Sequence, residues 1–558
     1  MVEATAAEDV YDALVLGGGF GGMHMLYELR EKGFKAIVLE AGENTGGAWY
    51  WNRYPGARCD VESLAYCYSF SPIIDREWRW TERYAGQKEI RSYLEWVCDR
   101  LDLRKDMRFN SRLTEAHYDE DACIWNFKTE AGDTYRARWF VTSPGPLATA
   151  IWPDIPGRQQ YKGVLAHTAK WPQHDVDFTG KRVGIIGTGS SGTQAIPAIA
   201  EQCEKLTVFM RTANFTAPAR NKKLTDEDYA QWEKIREQRR KEFRTLERTG
   251  AGDLFIDEDA ARRRLQPSTA FTQPERQELF NRYWEHGGAM VSGLHRDVLT
   301  NPEFNEELAG YFRQKVREIV KDPARAEILE PKNFAVGTKR IVVGSQFYET
   351  FNRDNVDLVD VKKTPIERFT EKGLFVDGKE LEFDVIVCAS GFDAVTGSLT
   401  VIDIRGRGGR SLKDVFSAGP NTYLGLGVHG FPNMFMIGGA QGPALLSNNA
   451  MSNEVNVEIL IDMFTYMRDH NIAEMEADKA AQEGWGQKVE DMVSQTLFST
   501  ANSWYVGTNV PGKKRAILCY IGGVPPYIEE CKKEAESGYS GFNRKVLESD
   551  HVSAEEIV

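Results

Sequence analysis

Two patterns of strand, glycine-rich turn and helix constrain the fold of this chain more than any other feature of its sequence. The first begins with an apolar run at residues 11–16, continues as Gly17-Gly-Gly-Phe-Gly-Gly22, and leads into a helical pattern at 23–32. A second apolar run at residues 36–40 completes the unit. A strand, a helix and a second strand in this order form a βαβ unit, in which the two strands are parallel.

The same plan recurs later in the chain. An apolar run at residues 182–186 precedes Gly187-Thr-Gly-Ser-Ser-Gly192, a helical stretch follows to about residue 201, and another strand pattern covers 206–210. Each unit of this kind opens a doubly wound parallel sheet. The predicted fold class is therefore α/β, with two dinucleotide-binding, Rossmann-like domains.

Both turns have the spacing GxGxxG, and each glycine in that spacing has a separate task. The first allows the tight turn, the second lets a pyrophosphate approach the backbone, and the third lets helix and strand pack closely. The free N–H groups at the start of the helix then face the phosphates. We expect these cofactor-binding glycines to be Gly17, Gly19 and Gly22 in the first unit and Gly187, Gly189 and Gly192 in the second.

The residue that ends the second strand differs between the two units. Glu40 ends the first, at about the spacing where a carboxylate accepts hydrogen bonds from ribose hydroxyls, and it would repel a 2′-phosphate. Arg211 stands at the matching place in the second unit, followed by Thr212, and arginine there favours a 2′-phosphate. The pattern predicts FAD or NAD in the first site and NADPH in the second, and two sites of this kind in one chain favour the pair FAD and NADPH.

The order of the remaining patterns indicates that both domains are built from separated segments. Charged helical stretches at residues 226–248 and 303–320 interrupt the second unit, so we predict a helical insertion there. The predicted segments are 1–145 (FAD-binding domain, first part), 146–220 (NADPH-binding domain, first part), 221–333 (helical insertion), 334–384 (NADPH-binding domain, second part) and 385–558 (FAD-binding domain, second part, with a C-terminal active-site segment).

Two further interpretations depend on this division. The stretch 387–393 ends a buried-strand pattern in small residues, so we expect it to approach FAD, with 142–146 as its counterpart at the first crossover. The basic residues at 236–241 alternate with glutamates, which predicts a solvated helix face carrying ion pairs rather than a nucleic-acid surface.

Composition excludes several classes of partner and site. The net charge is −13, which disfavours nucleic acid and anionic membranes. The eight cysteines are scattered without a CxxC pair, so we predict neither a metal site nor a redox dithiol. The first residues are acidic where a signal peptide is basic, and no apolar run reaches 18 residues. We expect a cytoplasmic protein, monomeric or weakly homo-oligomeric.

Two longer motifs give the chain a family resemblance over nearly its full length. One is Tyr161-Lys-Gly-Val-Leu-Ala-His167-Thr-Ala-Lys-Trp171-Pro172, and the other runs from Gly46-Gly47-Ala-Trp49 through Arg53-Tyr-Pro-Gly56 to Asp60. With them the chain resembles the type I Baeyer–Villiger monooxygenases, although Tyr161 replaces the usual phenylalanine. The Trp-Pro ending separates it from the related heteroatom-oxidising flavin monooxygenases, which usually have tyrosine there.

The resemblance implies a reaction in which a ketone and O2 give an ester or lactone. NADPH reduces FAD, the reduced flavin captures O2 as a C4a-peroxide, and the peroxide attacks the ketone carbonyl. Sulfide oxidation is an expected side activity. The alternative is a flavin-containing monooxygenase whose main activity is oxidation of nitrogen or sulfur. A pyridine nucleotide–disulfide reductase is disfavoured by the absence of CxxC, and a nucleotide-binding regulator without turnover by the residues that follow.

The resemblance also assigns roles to single residues. Arg340 matches the active-site arginine, and Asp60 matches the carboxylate that pairs with it beside the cofactor. The other residues that the resemblance implies are, for the flavin surroundings, Gly47, Trp49 and Tyr54; for the 2′-phosphate, Lys339 with Arg211 and Thr212; for closure over the nicotinamide, Trp504; for the substrate pocket, Leu445 and Leu446; and for a conformational link between the domains, His167 and Trp171.

Overall fold

The computed structural model of the protein describes residues 10–245 and 258–546. Its strands, in chain order, are β1 (Val10–Leu16), β2 (Ala36–Leu39), β3 (Met107–Arg108), β4 (Leu113–Asp119), β5 (Ile124–Thr129), β6 (Thr134–Thr142), β7 (Val164–His167), β8 (Arg182–Ile186), β9 (Lys205–Met210), β10 (Thr216–Pro218), β11 (Val342–Gly344), β12 (Val356–Asp360), β13 (Ile366–Phe369), β14 (Gly373–Val376), β15 (Lys379–Glu382), β16 (Val385–Cys388), β17 (Asp403–Arg405), β18 (Met434–Met436), β19 (Ile472–Ala477) and β20 (Phe542–Val546). Its α-helices are α1 (Phe20–Glu31), α2 (Ala48–Trp51), α3 (Pro72–Glu77), α4 (Gln87–Arg100), α5 (Ser190–Ala200), α6 (Asp226–Thr245), α7 (Glu258–Arg264), α8 (Gln273–His286), α9 (Pro302–Ile319), α10 (Pro323–Leu329), α11 (Phe347–Thr350), α12 (Gly397–Thr400), α13 (Leu412–Ser417), α14 (Asn449–Asp469), α15 (Lys479–Ser494) and α16 (Val524–Glu536).

The first glycine turn opens a sheet with the strand order β17-β4-β5-β6-β1-β2-β3, to which β18 adds beside β6. Its central strand β1 is parallel to β2 and β6, with Leu14 opposite Ile37 and Phe140. Alternate residues of β1 enter two different apolar clusters, one on each face of the sheet. Because both faces are covered, the strand is apolar without interruption, as the sequence pattern requires. The C-terminal part of the chain returns to this domain with α14, which packs beside α1.

The second glycine turn opens a separate five-stranded sheet in the order β12-β9-β8-β16-β7, in which every pair is parallel. Val385 of β16 lies between Val183 of β8 and Val164 of β7. The predicted segment boundary before residue 385 is therefore wrong, since this strand belongs to the second sheet. An apolar run buried on both faces has the same local pattern in either sheet, so only its pairing partners identify the domain.

The predicted insertion contains two helical groups with different partners. Helices α8 and α9 form an apolar cluster of their own, which includes Phe280 and Phe312 and extends to Phe215 beside the second sheet. Helix α6 instead places Trp232 and Phe243 in the main cluster of the first domain. An insertion from one domain thus packs against the other.

The basic face of α6 is not the solvated surface that the sequence pattern suggested. Arg236 is buried, and Arg240 donates to Asp75 of α3 with an Nη1–Oδ2 distance of 2.6 Å. Arg244 forms two hydrogen bonds of 2.6 Å to Glu458 of α14. Only some of the predicted pairs within the helix are present, such as Arg239 with Glu242. Charged side chains at helical spacing gave no sign that their carboxylate partners lie on other helices.

Parts of the predicted segments lie outside the described residues, namely 1–9, 246–257 with the predicted helix end at 246–248, and 547–558. Among the helices in the described ranges, none combines the length and the apolar character that crossing a membrane would require.

Candidate active site

The first glycine turn has the close contacts that its spacing predicts. Gly17 has a φ of +102°, and a Cβ atom there would lie 2.5 Å from the carbonyl oxygen of Ser143. A Cβ atom on Gly22 would lie 1.8 Å from the carbonyl oxygen of Gly17, so any side chain would separate α1 from β1. Gly19 approaches Gly47, which has a φ of +52°. The turn is thus a backbone cradle, open at the start of α1, of the kind that accepts a pyrophosphate.

Glu40 lies directly beside this cradle and is almost fully buried. Its Oε2 accepts from the N–H of Gly18 and its Oε1 from the N–H of Gly42, both at 2.7 Å. Burial raises the pKa of Glu40, and the two backbone N–H groups oppose that shift. Each carboxylate oxygen keeps a second lone pair, so the orientation fits hydrogen bonds from ribose hydroxyls.

The segment from Gly46 to Asp60 connects the cradle to the interior of the molecule. Trp49 donates its Nε1–H to the hydroxyl of Tyr66 at 3.1 Å, and its carbonyl accepts from Gln87. Tyr66 packs edge-on against Phe20 of the glycine turn, with ring centroids 4.9 Å apart. Trp49 therefore lies close to the glycine turn through Tyr66 and Phe20, and its place in the flavin surroundings stays a prediction.

Arg340 and Asp60 meet in this interior as a two-point ion pair. The guanidinium donates from Nε to Oδ2 at 2.5 Å and from Nη2 to Oδ1 at 2.9 Å. The two side chains are 23% and 22% exposed, so the pair is accessible but largely removed from water. Burial lowers the pKa of Arg340, but the charge and hydrogen bonds of Asp60 outweigh it, and the net shift is upward. A permanently charged, fixed guanidinium results.

Three side chains near this pair were not singled out from the sequence: the buried Cys59 and Tyr505 and the partly buried Tyr66. The pKa of the Tyr66 hydroxyl is raised by burial and by the charges of Cys59 and Asp60. The pKa values of Cys59 and Tyr505 are likewise raised, in both cases mainly by burial, while Arg340 acts in the opposite direction on both. Neutral phenol and thiol groups thus surround the one ion pair. Tyrosines inside apolar surroundings carry no sequence signal that distinguishes them from ordinary core residues.

The second glycine turn repeats the geometry of the first. Gly187 has a φ of +108°, and a Cβ atom there would lie 2.4 Å from the carbonyl oxygen of Ala389. A Cβ atom on Gly192 would lie 2.2 Å from the carbonyl oxygen of Gly187, whereas one on Gly189 would meet open space. The start of the stretch 387–393 therefore approaches the second turn, whereas its end is hydrogen-bonded through Asp393 to Thr149. The stretch 142–146, with Ser143, holds the corresponding place at the first turn.

Positive charge collects where β9 ends beside this turn. Arg211 is exposed and follows the last residue of β9, and Thr212 accepts a hydrogen bond at its carbonyl from Thr188 of the turn at 3.3 Å. Lys339 places its Nζ 4.2 Å from the ring centroid of Phe334. Burial lowers the pKa of Lys339, and Arg211 lowers it further. Within the described ranges no carboxylate forms an ion pair with either cation, and such a site attracts a phosphate.

His167 ends β7 and is 1% exposed. Its Nδ1 accepts from the N–H of Ala169 at 3.0 Å, so its proton resides on Nε2, which donates to the carbonyl of Ile151 at 3.1 Å. Ser390 donates to the same carbonyl at 2.6 Å. Burial lowers the pKa of His167, and the ring is therefore neutral. Two segments connect the domains, residues 143–163 between β6 and β7 and residues 389–402 between β16 and β17. His167 contacts the first through Ile151 and the second through Ser390.

Trp171 is buried in the apolar cluster of the second sheet, where it packs near Phe178. Tyr54, expected near the flavin, packs against the same cluster and donates its hydroxyl to Gln194 of α5 at 2.9 Å. The amide of Gln194 donates in return to the carbonyl of Arg58 at 2.9 Å. The segment that ends at Asp60 is thus attached to the second domain as well as to the first.

The predicted lid and pocket residues pack in the main apolar cluster of the first domain. Trp504 begins a 3-10 turn, Trp504–Val506, and is partly buried beside Tyr505. Leu445 is buried and Leu446 partly buried in another 3-10 turn, Ala444–Leu446. These side chains belong to the same apolar cluster as Trp49. Tyr505, the neighbour of Trp504, lies close enough to Arg340 for the charge of Arg340 to oppose the rise in its pKa.

Comparison with known proteins gives two partial and many full-length matches. A model described as "NAD(P)-binding Rossmann-like domain" matches residues 15–74, and one described as "L-lysine 6-monooxygenase/L-ornithine 5-monooxygenase" matches residues 79–251. The cyclohexanone 1,2-monooxygenase of an Acinetobacter species is 38% identical over 97% of this chain and 98% of its own. The cyclopentanone 1,2-monooxygenase of Comamonas sp. (strain NCIMB 9872) is 39% identical over 96% of both chains. A solved structure of an oxidised steroid monooxygenase bound to NADP superposes with a TM-score of 0.89 at 43% identity, over 96% of this chain and 99% of that one.

Proposed function

The chain belongs to the Baeyer–Villiger monooxygenases, and on that premise we propose that its Arg340–Asp60 pair is the centre where O2 and a ketone yield an ester or lactone. As a member of this family it is an enzyme that uses FAD and NADPH. The cofactor preferences predicted from Glu40 and Arg211 agree with that pair.

One observation carries the proposal. A two-point ion pair links Asp60, at the end of the segment that begins beside the first cradle, to Arg340, which follows Lys339 in the chain. The neutral hydroxyls of Tyr66 and Tyr505 lie beside this pair. Such surroundings suit a catalytic cation better than an ion pair that serves only to link two domains. A fixed cation in apolar surroundings stabilises a developing oxyanion far more than one in water.

The donor set fits both cofactors. The first cradle offers backbone N–H groups at the start of α1, with Glu40 oriented for ribose hydroxyls, and the second offers Gly189 facing open space, with Arg211 and Lys339 for a 2′-phosphate. When bound, FAD reduced by NADPH supplies the oxygen-transfer chemistry.

The chain's own residues orient the substrate and stabilise the negative charge that develops on its carbonyl oxygen. Arg340 donates hydrogen bonds toward the substrate carbonyl oxygen as that oxygen gains negative charge, and Asp60 holds the guanidinium in place and limits its excess charge. Trp504, with the turn that carries it, excludes water from the region. Leu445 and Leu446 form an apolar wall for the ketone. His167 remains neutral and keeps the two connections between the domains in register while they move.

We also propose that the protein functions in the cytoplasm, with sulfide oxidation as a side activity. All eight cysteines are buried and unpaired, which suits a reducing compartment.

The decisive experiment compares wild-type protein with Arg340→Ala on a panel of cyclic, linear and aromatic ketones. NADPH consumption is measured optically, and ester or lactone is measured by mass spectrometry. Arg340→Ala should retain FAD and oxidise NADPH, yet its ester formation should fall about 100- to 1,000-fold, since one oxyanion-stabilising donor set is lost.

Arg353→Ala is the matched control, because Arg353 is exposed and, among the described residues, its guanidinium hydrogen-bonds only to Asn355. Ester formation by Arg340→Ala at the rate of this control would remove Arg340 from the mechanism. Wild-type protein that turns no ketone of the panel into an ester, while oxidising thioethers rapidly, would favour the heteroatom-oxidising alternative.

A further inference from the structure

A third cation lies at the edge of the second sheet where Arg211 emerges. Strand β12 runs parallel to β9, with Asp360 opposite Met210 and the N–H of Val361 donating to the Met210 carbonyl at 3.0 Å. Arg211 follows the end of one strand, and Lys362 follows the end of the other by one residue more. Because parallel strands end at the same edge, both side chains start from neighbouring positions above the second glycine turn.

Lys339 approaches this edge from another part of the chain and is held by an aromatic ring. Its ammonium lies 4.2 Å from the ring centroid of Phe334, and that ring packs edge-on against Phe215 at 5.2 Å. A cation over a ring face at this distance is attracted by the ring quadrupole. Phe334 thus fixes where the Lys339 ammonium stands, while Phe215 fixes the ring.

The three cations are close enough to affect one another. Burial lowers the pKa of Lys339, and the charges of Arg211 and Lys362 lower it further. Among the described residues none of the three side chains forms an ion pair with a carboxylate. The carboxylate of Asp360, at the end of β12, accepts from the backbone N–H of Lys362 at 3.0 Å. Like charges that are not paired with a carboxylate repel one another in the free protein, and a dianion bound among them would relieve the repulsion.

We propose that Lys362 is a third cation for the 2′-phosphate of NADPH, and that Phe334 is the positioning residue that holds Lys339 in that site. The inference rests on the proposed function, from which it takes NADPH as the ligand of the second cradle. It adds two residues that determine the preference for NADPH over NADH, one through its charge and the other through its ring.

The neighbouring lysine provides a matched control. Lys363 is also exposed, but it lies toward Glu327, whose pKa is held low first by Lys332 and then by Lys363. Lys362→Ala and Lys363→Ala therefore remove the same charge from adjacent residues, one inside the proposed site and one beside a carboxylate.

The first experiment measures binding by calorimetry, with no turnover, to the FAD-containing protein. The probes are adenosine 2′,5′-bisphosphate and adenosine 5′-monophosphate. Lys362→Ala should weaken the bisphosphate about three- to fivefold and leave the monophosphate unchanged, which is the scale of one exposed ion pair. Lys363→Ala should change neither probe. Equal behaviour of the two variants toward the bisphosphate would overturn the role of Lys362.

The second experiment tests the ring. Phe334→Leu should weaken the bisphosphate about three- to tenfold and leave the monophosphate unchanged, whereas Phe334→Tyr, which keeps an aromatic face, should bind both probes as wild type does. If Phe334→Leu weakens both probes equally, or if Phe334→Tyr fails to restore binding, the ring is only a packing element and its positioning role is overturned.

Different results would refute the 2′-phosphate site and the roles of Lys362 and Phe334 within it. Wild-type protein that binds both probes equally tightly would refute the 2′-phosphate site itself, together with the roles of Arg211 and Lys339. Wild-type protein that prefers the bisphosphate, with variants of Lys362 and Phe334 indistinguishable from it, would refute only the present inference and leave the proposed function in place.

Discussion

At the scale of the residue, His167 is fixed by its hydrogen bonds in a form that its sequence motif does not reveal. The N–H of Ala169 occupies Nδ1, and Nε2 donates to Ile151, so a second proton would break one of these contacts. A general acid or base needs to gain and lose a proton near neutral pH. The buried, neutral ring therefore favours a linking role over proton transfer.

This environment makes the stability of the protein depend on pH through His167. Burial lowers its pKa below the ordinary value of about 6.5, so the unfolded chain takes up a proton that the folded chain refuses. The contribution is complete above about pH 6.5 and is lost as the pH falls below it. We expect His167→Gln to unfold at a lower Tm than wild type at pH 7.5, and the difference to shrink at pH 5.5.

Scanning calorimetry at both pH values checks this, with His174→Gln as the control because His174 is exposed. A difference in Tm that stays constant, or grows on acidification, would mean that the folded structure does not lower the pKa of His167.

Sequence motifs predicted the residues that shape the glycine turns, and they missed side chains that reach the candidate site through packing. Gly17, Gly22 and Glu40 follow from spacing, because the turn geometry allows few alternatives. Phe334 and Tyr66 belong to the site only because distant segments bring them there. An aromatic side chain has the same local pattern whether it packs in a core or faces a charge.

At the scale of the element, α6 shows how a helix can be predicted correctly and its partners incorrectly. Its charges suggested a solvated face, yet Asp75 of α3 is 6% exposed and accepts two hydrogen bonds from Arg240, which is 16% exposed. Strand β16 shows the same limit, since its apolar run was assigned to the wrong sheet. Whether a helix or strand forms, and how long it is, follows from its own residues. Which other helix or strand it packs against depends on residues elsewhere in the chain.

The buried ion pair between Arg240 of α6 and Asp75 of α3 should therefore contribute to the free energy of unfolding. Removing Arg240 takes away both hydrogen bonds to the buried Asp75 carboxylate and leaves it with Arg236 alone, whose Nη1 lies 3.7 Å from its Oδ2. Breaking a buried pair typically costs about 3–5 kcal/mol, and the remaining contact with Arg236 reduces that cost. We expect Arg240→Ala to lower the Tm of the FAD-containing protein by several degrees. Arg79→Ala should have little effect, since its pair with Asp226 is 59% and 91% exposed and such pairs contribute about 0–1 kcal/mol.

A double variant separates charge from packing. Arg240→Met combined with Asp75→Leu removes both charges and keeps the volume, so its Tm should return most of the way to that of wild type. If the single and double variants unfold at the same Tm, the contribution of Arg240 lies in its aliphatic stem rather than in the ion pair.

At the scale of the whole molecule, the segment 504–513, which begins with Trp504, is hydrogen-bonded to the second connection between the domains, residues 389–402. Asn509 donates to the carbonyl of Phe392 at 2.8 Å. Lys513 donates to Asp393 at 2.5 Å and to Thr396 at 2.7 Å. The turn that carries Trp504 is therefore coupled to the connection that begins at β16 beside the second glycine turn, and His167 joins that same connection to the other one through Ser390.

This coupling predicts a specific defect when the fastening is removed. Lys513→Met loses an ion pair of about 1 kcal/mol, which increases the population of the opened turn about fivefold. Water then enters the region more often, so less ester should form for each NADPH oxidised, and the KM for NADPH should rise about two- to fivefold.

Lys514→Met is the control, because Lys514 is the exposed neighbour and its side chain forms no ion pair with a described residue. The measurement is the ratio of ester to NADPH consumed at saturating ketone. A wild-type ratio in Lys513→Met would show that the turn closes without this contact, and the coupling between lid and connection would then rest on Asn509 alone.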